Sequence, residues 1–152
     1  MITRVLGTSL DSRFRFVVVV AAVIAAIAHV PVIRPHLDEA PYMGVLFVVL
    51  TVACVTLAVT VVAHDGSRVY GLAILTCGLA VVGYAATRLV AFPMLSDDVG
   101  NWLEPLGIVS VVSESVVVVA AAIALHGHRR SGSAQRGQLE PSPVGEVRGA
   151  GM

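Results

Sequence analysis

The sequence predicts an all-α membrane protein, built as an up-down bundle of four transmembrane helices with both termini in the cytoplasm. Composition is the first reason: 57% of the 152 residues are hydrophobic and 13% are charged, whereas a soluble domain carries about 25% charged residues. The second reason is that the apolar residues form four long runs, and the third is an uneven distribution of arginine. These features argue against a soluble enzyme, a disordered regulator and a nucleic-acid-binding protein.

The four apolar runs define the transmembrane domain, which we place at residues 14–128. Each run has the roughly 20 residues that a helix needs to cross a bilayer. Valine-rich stretches would favour strands in water, but a span in lipid must satisfy its own backbone hydrogen bonds. The runs also lack the alternating polarity of a membrane barrel strand. The predicted helical spans are 14–33, 42–63, 69–92 and 105–126.

The segments outside the spans differ in composition from the core. Residues 1–13 form a short N-terminal segment that we place in the cytoplasm. Residues 129–152 are rich in Gly, Ser, Pro and Gln and have few large apolar side chains, so we expect a disordered cytoplasmic tail. The connections between the spans are short, and short connections make neighbouring helices antiparallel.

Arginine predicts the orientation, because positive residues are enriched in short cytoplasmic loops. All ten of the Lys-plus-Arg residues are arginine. Arg34 and Arg88 lie toward one side of the membrane. The others lie toward the opposite side and are Arg4, Arg13, Arg15, Arg68, Arg129, Arg130, Arg136 and Arg148. The arginine-rich side is therefore predicted to be cytoplasmic, which gives a multi-pass protein of a bacterial cell membrane with both termini inside.

Two prolines mark the predicted outer end of the first span. Pro31 and Pro35 argue against one continuous helix, because proline removes a backbone donor and clashes with the preceding turn. We therefore expect the first helix to end at Ile33, followed by an outer loop that reaches Pro41. On this interpretation His29 lies about one turn from the outer end of its helix.

Besides Arg15 at the edge of the first span, two charged residues lie inside the predicted spans, where charge is costly and marks a site of interest by default. Glu114 lies ten residues after Glu104, about 15 Å deep and near the bilayer midplane, with Ser110 on the same helix face. Arg88 either extends outward to the acidic outer loop over 93–104 or reaches inward to pair with Glu114. We expect a structural role for Glu114, with a proton relay or a ligand contact as the alternative.

A second polar group lies at the predicted outer surface. His36 and Glu39 are spaced i, i+3, which places them on one face of a helical turn. With His29 and the acidic residues of the outer loops they could ligate a divalent metal ion. No pattern such as HxxxH or CxxC supports a metal site, so a solvated acidic rim is favoured. Glu104 followed by Pro105 also fits a helix start.

Small residues on the third span form two rows that permit close helix packing. The rows consist of Gly71, Gly78 and Ala85, and of Ala73 and Ala80. We expect both rows to pack within the bundle rather than at a dimer interface. Cys54 and Cys77 lie in apolar runs and fit neither a disulfide scaffold nor a metal-ligand spacing, so they are interpreted as packing residues.

Several of these residues carry a resemblance to a family of small four-span integral membrane proteins of actinobacterial type. The matching positions are 36–47, Thr87-Arg88, Pro93, 100–107 and Ser113-Glu114. The similarity covers the four spans and leaves out the C-terminal tail. That family has no known activity, so the resemblance implies a membrane protein and carries over no function.

The sequence contains no glycine-rich phosphate loop, nucleophile elbow or zinc signature, so we expect no enzyme activity, no cofactor and no nucleic-acid partner. The predicted function is a non-enzymatic accessory or structural membrane subunit, embedded in the lipid bilayer beside another membrane protein or a second copy. A small oligomeric transporter or proton-coupled carrier using Glu114 is the first alternative, and an outward-facing metal or redox site is the second. The candidate polar residues are His29, His36, Glu39, Arg88, Glu104 and Glu114.

Overall fold

The structure, a computed structural model, describes residue 10 and residues 12–138. This part of the chain forms four long α-helices, with a short 3-10 turn at Ser96–Asp98 before the last one. The helices are α1 (Arg15–Glu39), α2 (Pro41–Ala63), α3 (Ser67–Leu89) and α4 (Pro105–Gln138). The predicted all-α bundle of four helices is therefore confirmed.

The helices pack around a core of small and medium-sized side chains. α1 packs most extensively on α2, and it also lies against α4. α4 in turn packs on α3. The interface between α2 and α3 is the smallest of these four. Val18, Val61, Tyr70 and Val117 are fully buried at the centre of the main cluster. The contact between α1 and α4 closes the bundle and brings their inward-facing polar residues together.

The outward faces of the helices are apolar. Phe16, Leu79 and Val82 are 71%, 63% and 64% exposed, which a soluble monomer rarely shows over a continuous surface. All four helices are long and apolar enough to cross a membrane. The exposed apolar side chains are thus suited to lipid, where they cost nothing.

α1 continues through both of its prolines to Glu39, so the expected outer loop over 34–41 is reduced to the single non-helical residue Ala40 before α2 begins at Pro41. Pro31 and Pro35 each lack an N–H, but membrane helices tolerate proline where other groups satisfy the freed carbonyls. The carbonyl groups left without their usual N–H partner are those of Ile27 and Pro31, four residues before each proline. The longer α1 changes the depth of every polar residue on its outer half.

The C-terminal boundary also differs from the prediction. α4 continues to Gln138, beyond the predicted span end at 126 and into the segment expected to be disordered from 129. Helix extension satisfies the backbone groups without a partner, and it continues although residues 127–138 contain three glycines, which disfavour a helix. Residues 139–152 of the expected tail lie outside the described residues, as do 1–9 and 11 of the N-terminal segment.

The two rows of small residues on α3 face different environments. Ala73 is fully buried in the core cluster. A β-carbon added to Gly71 or Gly78 would meet nothing within 4 Å. Gly71 and Gly78 therefore make no close helix contact within the bundle, contrary to the expectation for their row, whereas Ala73 of the other row and Cys77 face the core.

Candidate functional site

A buried polar pair joins the first helix to the last. His29 Nε2 lies 2.9 Å from Glu114 Oε1, and the hydroxyl of Ser110 lies 3.3 Å from the same nitrogen. The side chains of His29 and Glu114 are only 4% and 1% exposed. A polar group in an apolar interior is costly unless it is hydrogen-bonded, and these three residues supply one another with partners.

The pair forms because its members lie at the same depth. His29 precedes the end of α1 at Glu39 by ten residues, and Glu114 follows the start of α4 at Pro105 by nine. At about 1.5 Å per residue, both lie roughly 14–15 Å from these helix ends, which are on the same side of the bundle. The predicted position of His29, one turn from the outer end, was wrong because it assumed that α1 ends at Ile33.

Phe47 of α2 packs between the buried pair and the outer part of α1. Its ring centroid lies 5.6 Å from that of His29 and 4.8 Å from that of His36. The two histidines are seven residues apart and share one face of the continuous helix α1. Phe47 therefore contributes apolar surface on the outer side of the pair.

The pair can hold a single proton in two positions. When Glu114 is ionised, His29 Nε2–H donates to the carboxylate, and when Glu114 is protonated, its hydroxyl donates to the bare ring nitrogen. Ser110 can adjust its hydroxyl to either state, because the hydroxyl both donates and accepts. Chemically, the arrangement can fix α1 against α4, and it can also exchange a proton inside the bundle.

Arg88 extends outward, which was the first of its two predicted alternatives. Its Nη1 lies 2.6 Å from Asp98 Oδ1, and its Nη2 lies 3.7 Å from Glu104 Oε2. The ring of Tyr84 lies 4.7 Å from the guanidinium carbon. The alternative pair with Glu114 is not formed, since that carboxyl group faces α1 instead.

The backbone of Arg88 also holds the acidic loop. Its carbonyl oxygen accepts a 2.9 Å hydrogen bond from the N–H of Gly100, whose φ of +79° lies in the region that favours glycine. At the end of the loop, Glu104 Oε2 accepts a 3.0 Å hydrogen bond from the N–H of Gly107. Glu104 therefore caps the start of α4, as its position before Pro105 predicts.

The residues proposed for a metal site do not converge. His29 is engaged with Glu114, His36 packs against Phe47, and Glu39 is exposed at the end of α1. Among the residues that the structure describes, no group of three or more His, Cys, Asp or Glu side chains could hold a metal ion. The geometry of the described residues therefore does not support the alternative function as a metal site.

Two buried cysteines lie at similar depths on α2 and α3, which the sequence interpretation did not note. Cys54 of α2 and Cys77 of α3 are both free and fully buried. Cys54 follows the start of α2 by 13 residues, and Cys77 precedes the end of α3 by 12. Both therefore lie about 18–20 Å from the outer helix ends, and counting depth could have revealed this match.

Two open grooves run along the face between α1 and α4. Val17, Val112 and Val116 line both grooves, and the rest of their lining is also apolar except for one serine in each. Neither groove includes His29 or Glu114 in its lining. The buried pair therefore does not open into either groove.

The fold defines a class of protein. Four helices long and apolar enough to cross a membrane make this chain a multi-pass integral membrane protein in a lipid environment. No model of a protein family matches the chain, and no curated protein or solved structure is similar to it.

Proposed function

We propose that the protein is a non-enzymatic accessory or structural membrane subunit. The observation that carries this proposal is the contact between His29 and Glu114, because it uses the buried carboxyl group of α4 to hold α1 in the bundle. A hydrogen-bonded pair of this kind specifies how two helices are aligned, since sliding either helix leaves a polar group unpaired in hydrocarbon.

Arg88 supports the same proposal. Its guanidinium and its carbonyl both bind the loop between α3 and α4, so this charge at the membrane boundary has a structural partner within the chain. The two grooves between α1 and α4 are apolar and do not include Glu114. A structural role therefore accounts for both intramembrane charges without a substrate.

The test compares substitutions of the pair with a matched surface carboxylate. Glu114→Ala and His29→Ala should lower the amount of protein in membranes, whereas Glu39→Ala should not, because Glu39 is exposed. Glu114→Gln is the decisive variant: it retains a hydrogen-bonding group but cannot ionise. Normal abundance and normal cell growth with Glu114→Gln would support a structural role, and normal abundance with a loss of growth would contradict it.

A proton-coupled carrier is the second candidate, and the observation that favours it is the shared proton position between His29 and Glu114. Chains of such residues form proton relays in membrane transporters. This candidate requires water to reach Glu114, although the side chain is 1% exposed. A water-soluble carbodiimide that labels Glu114 in membranes would favour the carrier. Absence of labelling at every pH, with labelling of Glu104 as the positive control, would exclude it.

We further infer a bacterial cell-membrane location with both termini in the cytoplasm, on the strength of the arginine distribution. Leu103 is 81% exposed in the outer loop, and His126 is exposed near the opposite end of α4. A membrane-impermeant maleimide should label Leu103→Cys in intact cells and His126→Cys only after lysis. The reverse pattern would overturn the orientation.

An accessory subunit requires a partner, which we propose is another membrane protein or a second copy of this chain. Chemical crosslinking in native membranes, followed by mass determination of the crosslinked species, distinguishes the two. A chain that remains uncrosslinked and monomeric in native membranes would argue against an accessory role.

A further inference from the structure

A continuous apolar groove lies on the outward side of the bundle between α1 and α4. Its two halves share Val17, Val112 and Val116. Along α4 the lining extends from Ile108 to Ile123, and these residues are 15 positions apart, which corresponds to about 22 Å. One leaflet of the hydrocarbon core is about 15 Å thick. The groove is therefore long enough to hold an extended acyl chain.

Arginines of both helices flank one end of this groove. On α4, Arg130 follows the lining residue Ile123 by seven positions, so the two share a helix face. At the start of α1, the lining residue Phe14 lies between Arg13 and Arg15 in the chain. Arg13 and Arg130 are exposed. The apolar groove thus leads to a positively charged end.

The guanidinium of Arg15 retains charge and a free donor. Its Nη2 donates a 2.9 Å hydrogen bond to the carbonyl oxygen of Val62, and its central carbon lies 5.8 Å from the ring of Phe16, which lines the groove. Its Nε is buried and has no hydrogen-bond partner among the described residues. No described carboxylate forms an ion pair with it, and the Asp65 carboxylate binds the N–H of Ser12 instead.

The start of α1 adds a second attraction for an anion. Its first turn carries no acidic residue, and no side chain caps it. The first N–H groups of a helix have no partner within the helix and carry partial positive charge. An anionic group placed beside Arg15 would therefore also interact favourably with the end of the helix.

We propose that the groove between α1 and α4 is a binding site for one anionic phospholipid. Its acyl chain lies against Val112 and Val116, and its phosphate is bound by Arg13, Arg15 and Arg130. Basic pockets between membrane helices bind anionic lipid headgroups in this way. A second copy fits the site less well, because copies inserted in the same orientation would bring their own arginines to the same end, where like charges repel.

The first experiment measures lipid selectivity with the full chain purified in a nonionic detergent. The chain is titrated with phosphatidylglycerol or with phosphatidylethanolamine of identical acyl chains, and native mass spectrometry counts the lipids bound to each chain. One phosphatidylglycerol should bind per chain. Its affinity should be about tenfold higher than that of phosphatidylethanolamine, because only the former carries a net negative charge for the arginines.

The headgroup contact is tested by combining Arg13→Gln with Arg130→Gln. Each arginine near the membrane surface contributes about fivefold to the binding of an anionic lipid, so the double variant should bind phosphatidylglycerol about 25-fold more weakly. Its binding of phosphatidylethanolamine should not change. Arg34→Gln is the control, because Arg34 is an exposed arginine on the outer half of α1, and it should bind both lipids like the wild type.

The groove itself is tested by Val112→Phe, which places a larger side chain where both halves of the groove meet. This variant should lose the one-to-one binding of phosphatidylglycerol. Val82→Phe on α3 should retain it, since Val82 is similarly exposed, at 64% against 56% for Val112. If Val112→Phe accumulates poorly, Val119→Phe is the second variant, because Val119 lines the same groove and is 58% exposed.

Four outcomes would overturn the proposal. Equal affinity of the wild type for the two lipids would remove the role of the arginines. Full binding by the groove variants would show that lipid adsorbs to the arginines without entering the groove. Displacement of phosphatidylglycerol by millimolar inorganic phosphate would identify free phosphate as the ligand. A dimer in native membranes that Val112→Phe dissociates would identify a second copy as the occupant.

Discussion

His29 and Glu114 lie 85 residues apart in the chain, yet their side chains meet at 2.9 Å inside the bundle. The contact links the first helix to the last and is supported by the hydroxyl of Ser110. Displacing either helix by one turn, about 5.4 Å, would separate the ring from the carboxyl group. The pair therefore selects one alignment of α1 and α4 among those that apolar packing alone would permit.

A double-mutant cycle measures this contact. His29→Ala and Glu114→Ala should each lower the free energy of unfolding by about 1–2 kcal/mol, the size reported by model-peptide studies of polar contacts between membrane helices. The double variant should lose about 1 kcal/mol less than the sum, because each single change already removes the shared bond. Reversible unfolding in mixed micelles gives these values. Strictly additive losses would show that the two residues do not interact.

Arg88→Ala should loosen the loop between α3 and α4. The guanidinium binds Asp98 and lies near Glu104, and because these carboxylates are partly exposed, we expect a loss of only about 1 kcal/mol. When the loop opens and closes faster than a protease cleaves it, this loss of stability corresponds to roughly fivefold faster cleavage. Arg34→Ala is the control, since Arg34 is an exposed arginine. Equal cleavage rates for the two variants would contradict the role given to Arg88.

Gly44→Ala should destabilise the protein, whereas Gly78→Ala should not. A β-carbon at Gly44 would lie 2.5 Å from Leu37 Cγ and 2.7 Å from the backbone nitrogen of Leu37, and such overpacking costs about 1–3 kcal/mol. A β-carbon at Gly78 meets nothing within 4 Å, so alanine there should be neutral or gain up to about 1 kcal/mol. Thermal unfolding compares the two variants. A stable Gly44→Ala protein would show that α1 and α2 are farther apart than described.

Asp65→Ala should release the segment that precedes α1. The Asp65 carboxylate accepts a 2.8 Å hydrogen bond from the N–H of Ser12, and a hydrogen bond to a charged group contributes about 1.5–3 kcal/mol. Asp65→Asn should retain part of this stabilisation, because its amide oxygen can accept the same bond without a charge. Hydrogen exchange at the Ser12 amide should accelerate by about tenfold or more in the alanine variant. Unchanged exchange would show that another contact holds the segment, for example the 2.8 Å hydrogen bond from the N–H of Leu10 to the carbonyl oxygen of Asp65.

The helical spans could be predicted from the sequence because the signal is local. A run of about 20 apolar residues must form a helix in lipid, whatever its neighbours are. The start of α4 at Pro105 could likewise be predicted, because the capping residue Glu104 and the proline are adjacent in the sequence. The continuation of α1 through Pro31 and Pro35 could not be obtained in this way, because local rules treat proline as a helix breaker and its tolerance depends on the surrounding bundle.

The sequence by itself determined that this chain is a bundle of four apolar helices and that Glu114 is its deepest acidic residue. Only the tertiary structure decided that Glu114 contacts His29 rather than Arg88. The physical reason is that the length of an apolar run belongs to a single segment of the chain, so it can be obtained from the sequence alone. A contact instead requires two helices to match in both depth and rotation, and the ends and packing of all four helices set that match.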